Sequence, residues 1–168
     1  MKRECRQVRG ILFRLEGGWY FIDIMRVHEI IRPPELCALV SMPPFVAGVI
    51  TRRGAVIPII NLRERFELPG QSPESRGRIL VLALPGQRVG ILADEVTGVL
   101  TLSVDSIQPP PSLMNARVAP FFIGLASDRE RLISLVNIDM LLSAEERGVL
   151  DSLAVNIRED PEEGKPCS

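Results

Sequence analysis

An internal repeat constrains the fold of this chain more than any other sequence feature. Residues 48–62, GVITRRGAVIPIINL, align without a gap over residues 124–138, GLASDRERLISLVNI, with Gly, Arg, Ile and Asn identical. A fainter match places residues 20–22 and 27–31 over residues 89–91 and 96–100, with apolar positions in common. Two β-rich segments can match by chance, but ungapped identities argue for a true repeat. We therefore predict a duplicated chain.

Each copy is too short to enclose a thick hydrophobic core, so we expect two small β-lobes that pack against each other. The first lobe is predicted over about residues 10–75 and the second over about residues 76–142. A helix should follow over about residues 143–157, because Ser143 and Glu146 have the spacing of a capping box. Residues 158–168 are polar and contain prolines, which predicts a flexible tail. A groove is expected between the lobes.

Short apolar runs, punctuated by glycine and proline, predict that the chain is mainly β. Glu16-Gly17 and Pro85-Gly86 stand between pairs of runs, as expected for hairpin turns. A weaker helical pattern spans residues 61–68, before Pro69-Gly70. The runs that we predict as strands are 11–15, 20–24, 46–50, 56–60, 79–84, 89–93 and 132–136.

Composition argues against nucleic acid and membranes as binding partners. With 20 basic and 21 acidic residues, the chain has a formal net charge of -1, which gives little attraction to nucleic acid or anionic lipid. The longest apolar runs, such as residues 79–84, are far shorter than the roughly 20 residues that cross a bilayer. The N-terminal residues do not resemble a secretory leader. We expect a cytoplasmic protein that neither binds nucleic acid nor inserts into a membrane.

The chain carries few residues that could perform catalysis. His28 is the only histidine, and no acid or nucleophile pattern surrounds it. Asp94 and Glu95 are adjacent, so in a strand they would point to opposite faces and could not act together. No phosphate-binding loop, nucleophile elbow or metal-ligand spacing occurs, and Arg63 and Arg65 fit a solvated helix face. We predict no catalytic residue, no cofactor and no metal, and hence a protein that acts through binding surfaces.

The segment GVITRRGAVIPIINL closely resembles the signature of the CheW family, in which a Gly-Val opening leads to Leu-Arg-Gly and then to Val-Ile-Pro-Ile-Val-Asp-Leu. The resemblance extends to YFIDIMRVHEII before it, and to GQRVGILADEVTGVLTLSVDSIQPPP and LISLVNIDMLLSAEE after it. It covers about residues 10–157, with room for neither a kinase core nor a receiver domain. The chain is accordingly expected to be one stand-alone CheW-like domain.

This resemblance implies two SH3-like five-stranded β-barrel lobes and the function of an adaptor. Members of the family couple methyl-accepting chemoreceptors to the histidine kinase CheA, by binding the cytoplasmic tip of the receptor and a CheW-like domain of the kinase. The implied location is the cytoplasm, at membrane-bound receptor arrays. An adaptor of a non-flagellar chemosensory system, with pili or a second messenger as output, is the alternative within the family.

Matched to the family's motifs, Val27, Glu29, Gly48 and Arg53 are expected to contact the receptor or to take part in coupling. The kinase-binding residues are not predicted. Each of the four also has a structural interpretation: Val27 as a core residue, Glu29 as a solvated one, Gly48 as a position of positive φ or a bulge, and Arg53 as part of its own turn.

One departure from the family pattern lies beside these residues. The family usually has Asn-Leu before Arg-Gly, where this chain has Thr51-Arg52, and the added charge could alter receptor preference. Two competing hypotheses come from other classes of protein: a small enzyme or phosphoacceptor that uses His28, and a β-protein that only forms oligomers.

Overall fold

Short apolar runs and tight turns fold this chain into two β-sheets. The computed structural model describes residues 6–37, 42–69 and 77–159, with side chains described as far as residue 152. The strands are β1 Gln7–Leu15, β2 Gly18–Asp23, β3 Val27–Ile31, β4 Val46–Arg52, β5 Ala55–Ile60, β6 Arg78–Leu84, β7 Gln87–Ala93, β8 Glu95–Ser103, β9 Phe122–Asp128 and β10 Arg131–Val136. The helices are α1 Leu62–Arg65 and α2 Ala144–Glu159, and single 3₁₀ turns cover residues 24–26, 104–106, 119–121 and 138–140.

Each sheet has five strands, as the sequence predicts, but the sheets are not the two halves of the chain. One sheet has the order β8-β1-β2-β10-β9 and the other β3-β6-β7-β5-β4. We call the first the terminal lobe, because its strands come from both ends of the described chain, and the second the middle lobe. The predicted division into residues 10–75 and 76–142 is therefore wrong as a division in space. Those ranges are the repeat units, and each unit contributes strands to both lobes.

The chain passes from one lobe to the other between β2 and β3 and between β7 and β8. Residues 24–26 make the first connection and Asp94 alone makes the second. Within its own sheet β2 is already paired on both sides, by β1 and β10, and β7 by β6 and β5, so the strand that follows each hairpin lies in the other lobe. A parallel pairing then joins each hairpin to the other unit: Leu135 pairs with Phe21, and Ile59 with Gly90.

The pairing register confirms the duplication. The β4–β5 pair shifts register between Val46 and Gly48, and the β9–β10 pair shifts opposite residues 122–124, at the equivalent place. An isolated bridge between Cys37 and Val49 connects the segment after β3 to β4. Its counterpart joins Gln108, after β8, to Leu125 in β9. The bridges connect the two edges of each sheet, so both lobes curl towards a barrel.

The largest hydrophobic core lies between the two lobes. Alternation along the strands supplies it: Phe13 and Leu15 of β1 point into this core, as do Leu80 and Leu82 of β6. The intervening residues point into smaller cores inside each lobe, for example Leu12 in the terminal lobe. The prediction that the lobes pack together is confirmed. Because this core fills the interface between the lobes, the predicted groove is not present there.

The two helices are close to their predicted positions. Predicted over residues 61–68, α1 is shorter because Glu67 has a φ of 53°, in the left-handed region that ends a helix. The capping box of α2 is confirmed: the Glu146 amide donates to Ser143 Oγ at 3.1 Å, and the Ser143 amide donates to Glu146 Oε1 at 2.9 Å. Of the predicted tail 158–168, residues 158 and 159 are helical, and residues 160–168 lie outside the described part.

Candidate functional site

Val27 and Glu29 lie on β3, at one edge of the middle lobe. The register of β3 against β6 shifts between them, so Val27 pairs with Leu82 and Glu29 with Val81. Leu82 belongs to the core between the lobes, and Val27 packs against that core. Val81 belongs to the core inside the middle lobe, so Glu29 stands at the end of the barrel interior. The shift thus places neighbouring motif residues on different surfaces, with the exposed His28 between them.

The structure pairs Glu29 with Arg52 and not with Arg53. Arg52 Nε donates to Glu29 Oε1 at 2.6 Å. This hydrogen bond joins β4 to β3, the two edge strands of the sheet. The hydrogen bond from Arg52 lowers the pKa of the Glu29 carboxyl, burial opposes this, and the charges of Arg52, Arg53 and His28 lower the pKa further. The residue that departs from the family pattern is therefore the one that holds the motif glutamate.

Arg53 lies at the tip of the hairpin between β4 and β5. It has a φ of 51° and Gly54 a φ of 77°, as in a two-residue type I′ turn. Its side chain is exposed. The repeat counterparts, Arg129 and Glu130, have φ values of 47° and 65°. Both copies thus place an arginine at the first turn position, so the backbone of Arg53 has a role in the fold that both lobes share.

Gly48 is buried and supports the closing bridge of the middle lobe. A Cβ at Gly48 would lie 2.9 Å from Leu36 Cβ and 3.2 Å from the Cys37 carbonyl oxygen. At the counterpart, Gly124, a Cβ would clash with the Gln108 carbonyl oxygen. Glycine at both positions lets the segment after β3 or β8 approach the opposite edge strand. Of the two structural interpretations, the bulge fits Gly48, because the register of β4 against β5 shifts between Val46 and Gly48 and the φ of Gly48 is not positive.

At the same place in the terminal lobe, no ion pair between described residues joins the edges of the sheet. The repeat aligns Glu29 with Gly98 and Arg52 with Asp128. Asp128 instead accepts a hydrogen bond from Arg131 of its own hairpin at 2.9 Å. A cavity of about 460 Å³ opens here, lined among others by Leu12, Gly98, Asp128 and Arg129. The ion pair between Glu29 and Arg52 is thus a feature of the middle lobe, where all four predicted residues lie.

Arg63, predicted on a solvated face, is 6% exposed, so that prediction is wrong. Its Nε donates to Glu16 Oε1 at 2.8 Å and its Nη2 to Asp94 Oδ1 at 2.6 Å. Asp94 also accepts from the Glu16 amide at 2.9 Å. Burial lowers the pKa of Arg63, but the hydrogen bonds that Arg63 donates to the Asp94 and Glu16 carboxylates outweigh burial and raise the pKa overall. This cluster joins the first hairpin, α1 and the connection from β7 to β8.

Arg65, the second arginine predicted to be solvated, lies between the lobes. Its guanidinium is 4.4 Å from the ring centroid of Phe45 and 5.9 Å from that of Phe121, and it forms an ion pair with Glu146 of α2. Phe45 and Phe121 are themselves repeat counterparts, each preceded by a proline. Neither contact could be inferred from the local sequence, because each joins residues that are far apart along the chain.

The described residues offer little to a catalytic or metal-binding hypothesis. Within residues 6–37, 42–69 and 77–159, no group of three or more His, Cys, Asp or Glu side chains could hold a metal ion. His28 is exposed on the irregular part of β3. The Asp94 carboxylate is engaged by Arg63. In this part of the chain no helix is both long and apolar enough to span a membrane.

A family model for the CheW-like domain matches residues 9–146, a range that contains the Glu29–Arg52 pair and all of the strand residues except the first two of β1. The chain belongs to the CheW family. It is 35% identical over 144 residues to the chemotaxis protein CheW of Klebsiella aerogenes, covering 86% of this chain and 87% of the relative. Protein FrzA of Myxococcus xanthus is 34% identical over 127 residues, covering 73% of this chain and 78% of FrzA.

A solved CheW structure has the same fold. The scaffolding protein TtCheW from Thermoanaerobacter tengcongensis superposes with a TM-score of 0.75 at 26% identity, covering 87% of this chain and 96% of TtCheW. The prediction of the family, of its fold and of a chemotaxis scaffold is confirmed. The two lobes, each built from strands of both repeat units, therefore form the CheW fold.

Proposed function

We propose that this CheW protein is an adaptor that couples chemoreceptors to the histidine kinase CheA, without catalysing a reaction. The observation that carries the proposal is the match to the CheW-like domain over residues 9–146. On this proposal the protein works in the cytoplasm, at the tips of membrane-bound receptors. Its activity is binding, so it transmits only the difference in binding free energy between two receptor states.

We place the receptor contact on the middle lobe, at the end of the barrel where β3 meets the β4–β5 turn. Arg53 is exposed there on a two-residue turn, so its planar guanidinium can bind a carboxylate or a carbonyl of a partner. Glu29 is already neutralised by Arg52. Arg53 and the Arg52–Glu29 pair together give this end of the lobe a positively charged surface.

Replacing Arg53 tests this placement in a reconstituted mixture of receptor, kinase and the protein. We expect Arg53→Glu to lower receptor-dependent stimulation of kinase autophosphorylation by about tenfold or more, since reversing a charge at a contact costs over about 1.4 kcal/mol. The matched control is Arg129→Glu, which makes the same change at the equivalent turn of the terminal lobe. Full stimulation by the Arg53 variant, or equal losses in both variants, would overturn the placement.

The absence of catalysis is tested separately. The purified protein should neither hydrolyse ATP nor incorporate radiolabelled phosphate. Label on His28 in the absence of a kinase would favour the phosphoacceptor hypothesis.

A second candidate function is an adaptor of a non-flagellar chemosensory system. The similarity to FrzA favours it, but the match to chemotaxis proteins named CheW covers more of the chain at a similar identity. Restoring swarming to a CheW-deficient chemotactic strain, compared with a strain that lacks its FrzA-type adaptor, would distinguish the two candidates.

A further inference from the structure

Two consecutive arginines, at the end of the middle lobe where β3 meets the β4–β5 turn, have different contacts. Arg52 is the last residue of β4, and its Nε donates to Glu29 Oε1 at 2.6 Å. Arg53 is exposed and forms no ion pair with any other described residue. The hydrogen bond from Arg52 lowers the pKa of the Glu29 carboxyl, burial opposes it, and the charge of Arg53 lowers this pKa further. Both cations thus act on one carboxylate, and Arg52 alone binds it.

The terminal lobe has the turn arginine without this ion pair beside it. At the places of Arg52 and Glu29 it has Asp128 and Gly98. Asp128 accepts a hydrogen bond from Arg131 of its own hairpin, and Gly98 has no side chain that could reach across the sheet. The fold therefore needs neither member of the Arg52–Glu29 pair at these places, which leaves the pair open to a role in binding.

A second cation at residue 52 changes what Arg53 can bind. The family pattern has an uncharged leucine where this chain has Arg52. Without the charge of Arg52, the Glu29 carboxylate would attract the guanidinium of Arg53. A guanidinium that is held by a carboxylate of its own protein has to give up that hydrogen bond before it binds a partner, and this loss reduces the affinity. Arg52 removes the competition, because it already occupies Glu29.

We propose that Arg52 is a positioning residue that determines specificity: it neutralises Glu29 and thereby keeps Arg53 available for a carboxylate on the receptor tip. The inference rests on the proposed function, since the receptor has to bind at this end of the middle lobe. The partner is a receptor that presents an aspartate or a glutamate to Arg53. An arginine–carboxylate pair is stronger and more directional than a hydrogen bond to a neutral group, so a receptor with an amide at that place binds less tightly.

NMR of the arginine side chains tests the first step on the protein alone. In the wild type, the Nε–H of Arg52 should exchange with water about tenfold more slowly than that of Arg53, because a hydrogen bond to a charged group protects it. In Arg52→Leu, the Nε–H of Arg53 should gain this protection, and adding Glu29→Gln should remove it again. Protection of Arg53 in the wild type, or no gain in Arg52→Leu, would overturn the proposal.

Calorimetric titration with a fragment of a receptor's cytoplasmic tip tests the second step. The exposed aspartates and glutamates of the fragment are changed one at a time to asparagine and glutamine. One of these changes should raise the Kd for the wild type about tenfold and should have no further effect on Arg53→Gln. For Arg52→Leu, the same change should raise the Kd by less than about threefold. Glu29→Gln in the Arg52→Leu protein should restore the tenfold effect, because no internal carboxylate then competes for Arg53.

The matched control is Asp128→Leu, which alters the residue before the equivalent turn arginine, Arg129, in the terminal lobe. This variant should discriminate between the two fragments as the wild type does. A tenfold effect that persists in Arg52→Leu, or is lost in Asp128→Leu, would overturn the inference while leaving the proposed function in place. If Arg53→Gln bound the unmodified fragment as tightly as the wild type does, the proposed receptor contact would itself be wrong, and the inference with it.

Discussion

The middle lobe and the terminal lobe have the same backbone features but different polar contacts. Both have a type I′ turn, a register shift and a closing bridge at equivalent residues. Only in the middle lobe does an ion pair, Glu29 with Arg52, join the edges of the sheet at the equivalent residues. What the copies share is required by the fold, and what they do not share shows where each has been adapted.

A second difference lies where the chain passes between the lobes. Arg63, after β5, binds Asp94 at the connection from β7 to β8. At the equivalent place after β10, Asp139 binds Arg26 at the connection from β2 to β3. The arginine and the aspartate have changed places between the two connections, and the second pair is less buried than the first. The Arg63 side chain is 6% exposed, whereas those of Arg26 and Asp139 are 30% and 60% exposed.

The largest predicted effect comes from breaking the buried connection. Arg63→Leu should lower the free energy of unfolding by about 3 kcal/mol, because it leaves Glu16 and Asp94 close together without their cation. Arg26→Leu should cost at most about 1 kcal/mol, as is usual for exposed pairs. Urea unfolding followed by circular dichroism and by the fluorescence of Trp19, the only tryptophan, measures both. Equal losses would show that the two connections are equivalent.

The closing bridges should differ by a smaller amount. Gly124→Ala places a Cβ against the Gln108 carbonyl oxygen, and we expect a loss of about 2 kcal/mol from overpacking. The Cβ of Gly48→Ala would lie 2.9 Å from Leu36 Cβ, which is farther than the Cβ of Gly124→Ala would lie from the Gln108 carbonyl oxygen. The loss for Gly48→Ala should therefore be nearer to about 1 kcal/mol. Urea midpoints of the two variants give the comparison. A larger loss for Gly48→Ala would mean that the middle lobe is the less adaptable of the two.

The hairpin turns provide changes of opposite sign. Glu130→Gly should stabilise the protein by about 1 kcal/mol, because glycine adopts positive φ without the steric cost of a side chain. Gly54→Ala should destabilise it by a similar amount, although no heavy atom lies within 4 Å of the added Cβ. Thermal unfolding of the two variants measures both changes. Loss of stability in Glu130→Gly would indicate that the Glu130 side chain makes a favourable interaction.

The smallest effect is a dependence on pH. The hydrogen bond from Arg26 lowers the pKa of Asp139, burial opposes it, and the charges of Arg26 and Arg147 lower it further. A carboxyl with a lowered folded-state pKa adds stability above its unfolded pKa of about 4, and this stability is lost as the pH falls through the folded-state value. The stability difference between the wild type and Asp139→Asn should therefore be present at pH 7 and shrink below about pH 4. A difference that is constant with pH would exclude this origin.

Local patterns predicted the capping box of α2 and strands β1, β2, β4 to β7 and β10, because these depend on alternation and on residues close in sequence. The family resemblance implied five strands in each lobe, and the repeat predicted that there are two lobes. It did not predict which copy each hairpin joins, since the same pairing is available within and between the units. Strands β3, β8 and β9 were not among the predicted runs, because polar residues or glycine interrupt their apolar positions. Arg63 and Arg65 looked solvated because their partners, Asp94 and Glu146, are distant in sequence.

The candidate site was predicted in part. Family motifs selected Val27, Glu29, Gly48 and Arg53, and the structure places all four in the middle lobe. Their role in binding remains a prediction. The pairing of Glu29 with Arg52 depends on the register shift in β3 and on closure of the barrel, neither of which the motif spacing reveals.

Mapping the receptor contact by NMR tests the central claim most directly, because every residue of the proposed site has a counterpart in the other lobe. A fragment of a receptor's cytoplasmic tip would be titrated into the isotope-labelled protein. We predict that amide shifts change most at residues 27–31 and 48–54, and much less at residues 96–100 and 124–130. Equal changes in both lobes, or larger changes in the terminal lobe, would contradict the account.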